Sequence, residues 1–242
     1  MAVQLFEVGG SIRDELMGIS NSDRDFVAVC PGGWPELLAW AENTLDKIFL
    51  VTPEFFTIRG IKDKEVFDIV LARKEDAYRD GRHPDKVEPG SLEDDLARRD
   101  FTMNAIARSV DSGELVDPHN GVKDIENGLI KCVGCAEDRF KEDSLRVLRA
   151  LRFLMTKFGM YLEKSIVIIL RTNRITNSGE KVSDLLSSVS RDRVREELHK
   201  MFKHDTLVAA GILFDERLVH ADLRKAILGD DIWLKPTTEK RK

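Results

Sequence analysis

The sequence predicts an α/β head built on a mixed sheet with helices, followed by an all-helical second part, and three observations carry the prediction. Short apolar runs alternate with helical segments up to about residue 136. From Glu137 onward the apolar residues recur at intervals of three and four, as one face of a helix requires. The charge changes sign at the same place. Residues 1–137 carry 16 Lys and Arg against 27 Asp and Glu, a net of −11, and residues 138–242 carry 22 against 16, a net of +6. An acidic half suits divalent cations and a basic half suits phosphate backbones.

In the first part, Leu5–Val8, Asp25–Cys30, Ile48–Val51, Phe55–Ile58, Val66–Leu71 and Ala105–Val110 read as strands, and Ser11–Met17 and Trp34–Glu42 as helices. The polar stretch from Lys74 to Ser91, with Gly81, Pro84, Pro89 and Gly90, reads as a long loop. In the second part Leu145, Leu148, Leu151 and Met155 mark one helix face. Ile166–Leu170, Val182–Val189, Val194–Phe202, Asp205–Leu213 and Glu216–Leu228 read as further helices, and the basic tail ending Lys240-Arg241-Lys242 as loose. The expected divisions are 1–136, 137–202 and 203–242.

With 42% hydrophobic and 33% charged residues the chain has an ordinary globular composition, too apolar for disorder. It lacks the run of about 18 apolar residues that a membrane span needs. The start, Met1 to Val8, shows no basic export leader, and three cysteines make no disulfide framework, so a reducing cytoplasm is the expected compartment. Cys132 and Cys135 form a C-x-x-C, but one pair cannot complete a zinc site, and Ile130–Gly134 reads better as a strand ending in a turn.

The chemistry concentrates in the first thirty residues. Gly9-Gly10-Ser11 follows a strand and opens a helix, where backbone N–H groups hold phosphate oxygens, with Arg13 beside them as a charged clamp. Asp23-Arg24-Asp25 follows at the next strand. Strand alternation puts Asp23 and Asp25 on one face, where two carboxylates repel unless a cation sits between them, and hard oxygen ligands select magnesium. Asp68 offers a third carboxylate in the apolar Val66–Leu71 run. Against this stands the plainer reading in which Asp23 caps a turn and Asp25 or Asp68 pairs with an arginine.

The order Gly-Gly-x-x-Arg-Asp, then Asp-x-Asp, resembles the first motif of the class II tRNA nucleotidyltransferase and bacterial poly(A) polymerase family. Further segments resemble that family's motifs in order. They are Asp80-Gly81-Arg82 in the charged loop, Arg98-Arg99-Asp100-Phe101-Thr102-Met103-Asn104-Ala105, Asp117-Pro118-His119-Asn120-Gly121 with Asp124, Glu142-Asp143-Ser144-Leu145-Arg146 with Arg149 and Arg152, and Ser190-Arg191-Asp192-Arg193 through Leu198. The matches span residues 7–198.

The resemblance implies a nucleotidyltransferase head, a helical neck that selects the nucleotide, and a short C-terminal region. It implies two Mg²⁺ ions held by Asp23, Asp25 and Asp68, and a triphosphate held by Gly9, Gly10, Ser11 and Arg13 with Arg99 nearby. Asp100 and Asn104 would grip the ribose. Asp117–Gly121 is similar to the hinge between head and neck, and Ser190–Leu198 to a bracing helix. The implied substrates are CTP, ATP and the 3′ end of tRNA, and the implied reaction is template-independent addition of C and A with release of pyrophosphate. Asp80 and Arg82 fit a loop that goes with switching to ATP.

Asp143 and Arg146, three apart on a helix, are expected to share one face and meet one flat partner. Cytosine and adenine each present an amino donor beside a ring-nitrogen acceptor, matching a carboxylate that accepts and a guanidinium that donates; uracil and guanine present the reverse order. The plainer alternative is an intrahelical salt bridge between the two. Arg149 and Arg152 are expected on triphosphate or RNA backbone. Only 44 residues follow Leu198, so the expected grip on RNA is reduced, the substrate smaller, or RNA held by a partner subunit. Addition of A alone, poly(A) tailing and a non-catalytic RNA-binding relative remain the alternatives to C-C-A addition.

Overall fold

Seven strands form the sheet that carries the head: β1 (Gln4–Val8), β2 (Asp25–Val29), β3 (Lys47–Thr52), β4 (Thr57–Lys62), β5 (Glu65–Leu71), β8 (Ala107–Ser109) and β9 (Leu115–Val116). The structure, a computed structural model, describes residues 3–21, 24–76, 86–157 and 159–229. These fall into two compact units, one ending at Gly134 and the other beginning at Cys135.

The sheet order is β3-β4-β5-β2-β1-β8-β9. Only the central β2–β5 pair is parallel; the other neighbours run antiparallel. The short run from β4 to β5 is set by a two-residue turn, Asp63-Lys64, with φ of 51° and 69°. Two left-handed residues make the turn twist that matches a hairpin, and a two-residue turn leaves no freedom of register. Lys62 therefore faces Glu65 and, further down, Arg59 faces Asp68.

Each face of the sheet has its own core. On one side Phe26, Ala28, Ile58, Ile69 and Leu71 pack against Leu37, Ala41 and Leu45 of α2 (Gly33–Thr44) and its end. On the other, Val8, Val27, Ala72, Ala105 and Ala107 pack against Leu92 and Leu96 of α3 (Leu92–Ala97). A residue-by-residue alternation along each strand produces both. Buried alternating apolar positions in the centre, rather than propensity alone, select strand over helix here.

The elements differ from expectation at three places. Phe55–Ile58 is not one strand, because Pro53 starts a short 3-10 turn over Pro53–Phe55 and Phe56 is left-handed (φ 53°) before β4 begins. The ends of the expected loop 74–91 pair as β6 (Arg73–Asp76) and β7 (Lys86–Pro89), and Ser91 caps α3 in a reciprocal box with Asp94. Residues 77–85, with Asp80, Arg82 and His83, lie outside the described residues. Ala105–Val110 contributes only Ala107–Ser109 to the sheet, because Thr102–Asn104 forms a 3-10 turn before it.

That turn is held from below. In the segment Asp117–Asp124, Asp117 accepts the backbone N–H groups of Gly121 (2.7 Å) and Val122 (2.9 Å) at the start of α4 (Gly121–Glu126), and Asp124 accepts the Thr102 hydroxyl at 2.8 Å. A side chain at Gly121 would land on the Thr102 carbonyl oxygen.

In the second unit, α6 (Leu145–Thr156) buries Leu145, Val147, Leu148, Ala150, Leu151 and Phe153, a wider stripe than the spacing of leucines suggests, with Met155 only half-buried. Its main partner is α9 (Arg191–His204), through Val194, Leu198 and Met201. Around them lie α5 (Ala136–Glu142), α7 (Lys164–Thr172), α8 (Val182–Ser187), α10 (Thr206–Phe214) and α11 (Ala221–Leu228). No helix among the described residues is long and apolar enough to cross a membrane.

Gly121→Ala is expected to destabilise the protein by about 2–3 kcal/mol or more, the cost of forcing a methyl into a closed contact, with the loss read as a lower urea midpoint at unchanged m-value.

Candidate active site

A row of polar residues crosses the sheet from the middle of β4 and of β5 to the start of β2. In register, Arg59 pairs with Asp68 and Asp68 with Asp25, and Asp25 stands opposite Val8, the last residue before Gly9. Register partners on neighbouring strands point to the same face, so the two carboxylates and the guanidinium share a side. Asp68 pairs with an arginine, as the plainer reading of its sequence has it. Its side chain is 27% exposed and takes both arms of the Arg59 fork, Nε on Oδ1 and Nη2 on Oδ2, the latter at 2.5 Å. The hydrogen bond to Asp68, then the charge of Asp68 and after it that of Asp25, raise the Arg59 pKa above its ordinary value. Arg24 contacts Glu7 at 2.7 Å and lies over the Phe26 ring at 5.2 Å. Asp23 lies outside the described residues.

Hard carboxylate oxygens on adjacent strands are a donor set that suits a divalent cation, and Arg59 already places one positive charge against them. No group of three or more His, Cys, Asp or Glu that could hold a metal occurs among the described residues. Cys132 is buried in the bridge to Phe101 and Cys135 is exposed; neither forms a disulfide. Burial pushes the Cys30 thiol up to about 11.

Next to this row, three segments converge on the Gly-Gly turn. Gly9 (φ 79°) ends β1 and precedes α1 (Gly10–Leu16). A Cβ there would stand 3.1 Å from the Arg99 guanidinium, and one at Gly10 would stand 3.5 Å from that of Arg13. Gly9 thus lets a guanidinium close on the backbone, whereas a methyl at Gly10 would meet Arg13 at ordinary contact distance. Arg13 is buried and joins Asp14 (2.8 Å) to the Asn104 side-chain oxygen (2.6 Å); the Asn104 amide donates in turn to Asp100 at 2.9 Å, which also accepts the Phe101 N–H at 2.8 Å. Ser11 turns its hydroxyl to the Val8 carbonyl at 3.5 Å.

The anchor beneath is a residue the sequence reading missed. Asp95 is fully buried and accepts from both Arg98 (2.5 Å) and Arg99 (2.9 Å). Burial pushes its pKa up, but the charges of Arg98 and Arg99 outweigh that and hold it below the usual carboxylate range. Asp95 lies three and four residues before the two arginines, so i,i+3 and i,i+4 pairing was the available signal. Arg59 was legible in the same way, by counting outward from the Asp63-Lys64 turn.

In the helical unit, Asp143 and Arg146 do not share one helix. Asp143 lies in the extended break between α5 and α6 (φ −147°, ψ 99°), and its carboxylate accepts the Leu145 N–H at 3.2 Å. A cap geometry has replaced the expected helical one. Nor do the two form the intrahelical ion pair that was the alternative. Arg193 of α9 forks onto Asp143 (2.6 and 3.3 Å), while Arg146, itself buried, pairs with Glu142 at 2.9 Å. Arg152 and Arg149, expected on phosphates, converge on the buried Glu197 of α9 at 2.5 and 3.8 Å. Burial raises the Glu197 pKa, and the charge and hydrogen bond of Arg152, with Arg149 and Lys200, together outweigh it, so the carboxyl sits below its ordinary value. Arg193 thus ties α9 to the segment before α6, and Glu197 ties it to α6 itself.

The poly A polymerase head domain family matches residues 5–131. The chain belongs to that family. It is 35% identical over 199 residues to the CCA-adding enzyme of Ligilactobacillus salivarius (strain UCC118), covering 82% of this chain and 45% of that protein. With the CCA-adding enzyme of Bacillus subtilis (strain 168) it shares 34% over 224 residues, 85% of this chain and 54% of that one. Among solved structures it is similar to the Bacillus stearothermophilus CCA-adding enzyme in complex with CTP, with a TM-score of 0.73 and 29% identity over 92% of this chain and 50% of the other. The Thermotoga maritima CCA-adding enzyme complexed with tRNA superposes with a TM-score of 0.71 at 25% identity, over 96% and 50% of the two chains. The chain thus spans about half the length of the relatives it matches.

Asp95→Asn is expected to cost roughly 3 kcal/mol, the low end for breaking a buried ion pair because both arginines keep some water. The folded pKa values of Asp95 and Glu197 are depressed, so their contribution is complete above the unfolded carboxylate range near about pH 4 and is lost as pH falls through the lower folded values. Urea melts between pH 6 and pH 3 check this: wild type loses stability across that interval, and Asp95→Asn loses less of it.

Proposed function

We propose that this chain is the nucleotide-transferring part of a template-independent RNA nucleotidyltransferase, adding C and A to the 3′ end of tRNA from CTP and ATP with release of pyrophosphate. The observation that carries the reading is the convergence, within one head, of the Gly9-Gly10 turn, Arg13, Arg99 and the Asp100–Asn104 pair beside the Asp25–Asp68 row. Membership of the family and likeness to CCA-adding enzymes described with CTP and with tRNA support it.

Each residue has a task in this reading. Gly9, Gly10 and Ser11 let the triphosphate approach the backbone, with Arg13 and Arg99 supplying positive charge against its oxygens. Asp100 and Asn104, already hydrogen-bonded to one another, orient the ribose. Asp23 and Asp25 hold two Mg²⁺ ions with Asp68 beside them. When bound, such ions lower the pKa of the primer 3′-hydroxyl and neutralise charge on the phosphates as the bond to pyrophosphate breaks. Asp80 and Arg82 belong to the segment that accompanies the change from CTP to ATP.

Asp143 and Arg146 read the base. Asp143 accepts from the amino group of cytosine or adenine, and Arg146 donates to the neighbouring ring nitrogen. Arg193 and Glu142 hold the two groups in position, and Arg149 and Arg152, anchored on Glu197, face the triphosphate or the RNA backbone.

Incubating the protein with tRNA lacking its terminal nucleotides, Mg²⁺ and each labelled nucleotide singly tests the reading. C-C-A addition gives C and then one A; repeated A means poly(A) tailing, and one A without C means A addition. Asp25→Ala is expected to lower incorporation at least about a thousandfold while the protein stays folded, whereas Asp143→Ala is expected to admit U and G before activity is lost, a discrimination worth roughly 1–3 kcal/mol. Incorporation by Asp25→Ala at the wild-type rate overturns the assignment.

A further inference from the structure

Arg59 is used by none of the steps above, yet it sits on the acidic row. It occupies the β4 position directly across from Asp68, and Asp68 is in register with Asp25. Its fork engages both Asp68 oxygens, and the Asp25 charge reaches it as well. The pair is not a packing device, because the Arg59 side chain is 46% exposed and Asp68 27%. Nor is it incidental to a flexible chain, since the Asp63-Lys64 turn fixes the register that makes the two face each other.

Building on the metal-dependent reading above, we propose that Arg59 is a built-in counter-cation of the acidic row, which keeps Asp68 from ligating a divalent ion until that ion displaces it. Two adjacent carboxylates repel unless a positive charge stands beside them. A guanidinium supplies it permanently, since it does not deprotonate in proteins. While the fork is closed, both Asp68 oxygens are directed at Arg59, so an approaching cation meets a neutralised acid and a like charge. The half-exposed side chain has open solvent to swing into, and an exposed ion pair is weak enough to be broken by a doubly charged competitor. Arg59 thus sets the divalent concentration at which Asp68 joins Asp25 and disfavours loading at low concentration.

Mn²⁺ is the probe, titrated into the metal-free 242-residue chain and followed by the paramagnetic resonance signal of the free ion. Arg59→Gln is expected to bind it on the order of fivefold more tightly than wild type, the ratio an exposed ion pair is worth. Its metal-free melting temperature is expected to fall, because Asp25 and Asp68 lose their shared counter-charge, and saturating Mn²⁺ is expected to raise it by more than in wild type. Arg59→Lys keeps the charge without the fork and is expected to fall between the two; it carries the test if Arg59→Gln does not fold. Unchanged or weaker Mn²⁺ binding in the variant that folds, with binding abolished in Asp25→Asn, overturns this role of Arg59 alone. Undiminished binding in Asp25→Asn overturns both it and the acidic row as the cation site.

Discussion

Two carboxylates set side by side on neighbouring strands repel, and the arrangement of the head follows from the positive charge they demand. Asp25 and Asp68 are forced together by the single parallel pairing in the sheet, β2 against β5. No local rearrangement separates them, because slipping the register by one residue would turn Phe26, Ile69 and Leu71 out of the core. The hydrophobic cost of that slip exceeds the repulsion of two partly solvated acids. Burial therefore decides where the charges go, and the charges then recruit Arg59.

The same logic orders the neighbouring cradle. Asp95 is fully buried, which is costly for a carboxylate without partners, and its cost is met by two arginines supplied by the same short stretch of chain. One of them, Arg99, is thereby pinned over Gly9. Arg13 reaches Asn104 from the other side of the turn, and the Thr102–Asn104 segment rests on α4 through Thr102 and Asp124. Function and stability are inseparable at this point: the residues proposed to meet the nucleotide are held by residues that never touch it. In the helical unit the corresponding arrangement is α9 against α6, where Arg193 and Glu197 hold Asp143 and Arg152.

Much of this was legible in the order of residues. The strands β1, β2, β3 and β5 and the helices α1, α2, α6, α7 and α9 fall where alternation and three-four spacing place them. The segments containing Gly9, Arg13, Arg99, Asp100 and Asn104 were named in advance, and the fold brings them together. The misreadings share a cause. Phe55–Ile58 and Ala105–Val110 are apolar, but Pro53, the left-handed Phe56 and the turn at Thr102–Asn104 override that pattern. The stretch 74–91 looked like a loop because its charge hides a pairing that only the opposing strand reveals. Asp143 looked helical because its neighbours are, whereas its carboxylate closes the start of the next helix.

Composition, spacing and motif order by themselves determined the class of the head, the change to helix after residue 136, the apolar faces and the side-chain types available for phosphate, metal and base. These are local properties, set by periodicities of two and 3.6 residues and by the chemistry of single side chains. Which charge meets which was decided only by the tertiary structure. Arg193 with Asp143 and Arg152 with Glu197 are 50 and 45 residues apart. An ion pair depends on distance and shared burial, and for residues so separated both are fixed by how strands register and helices pack.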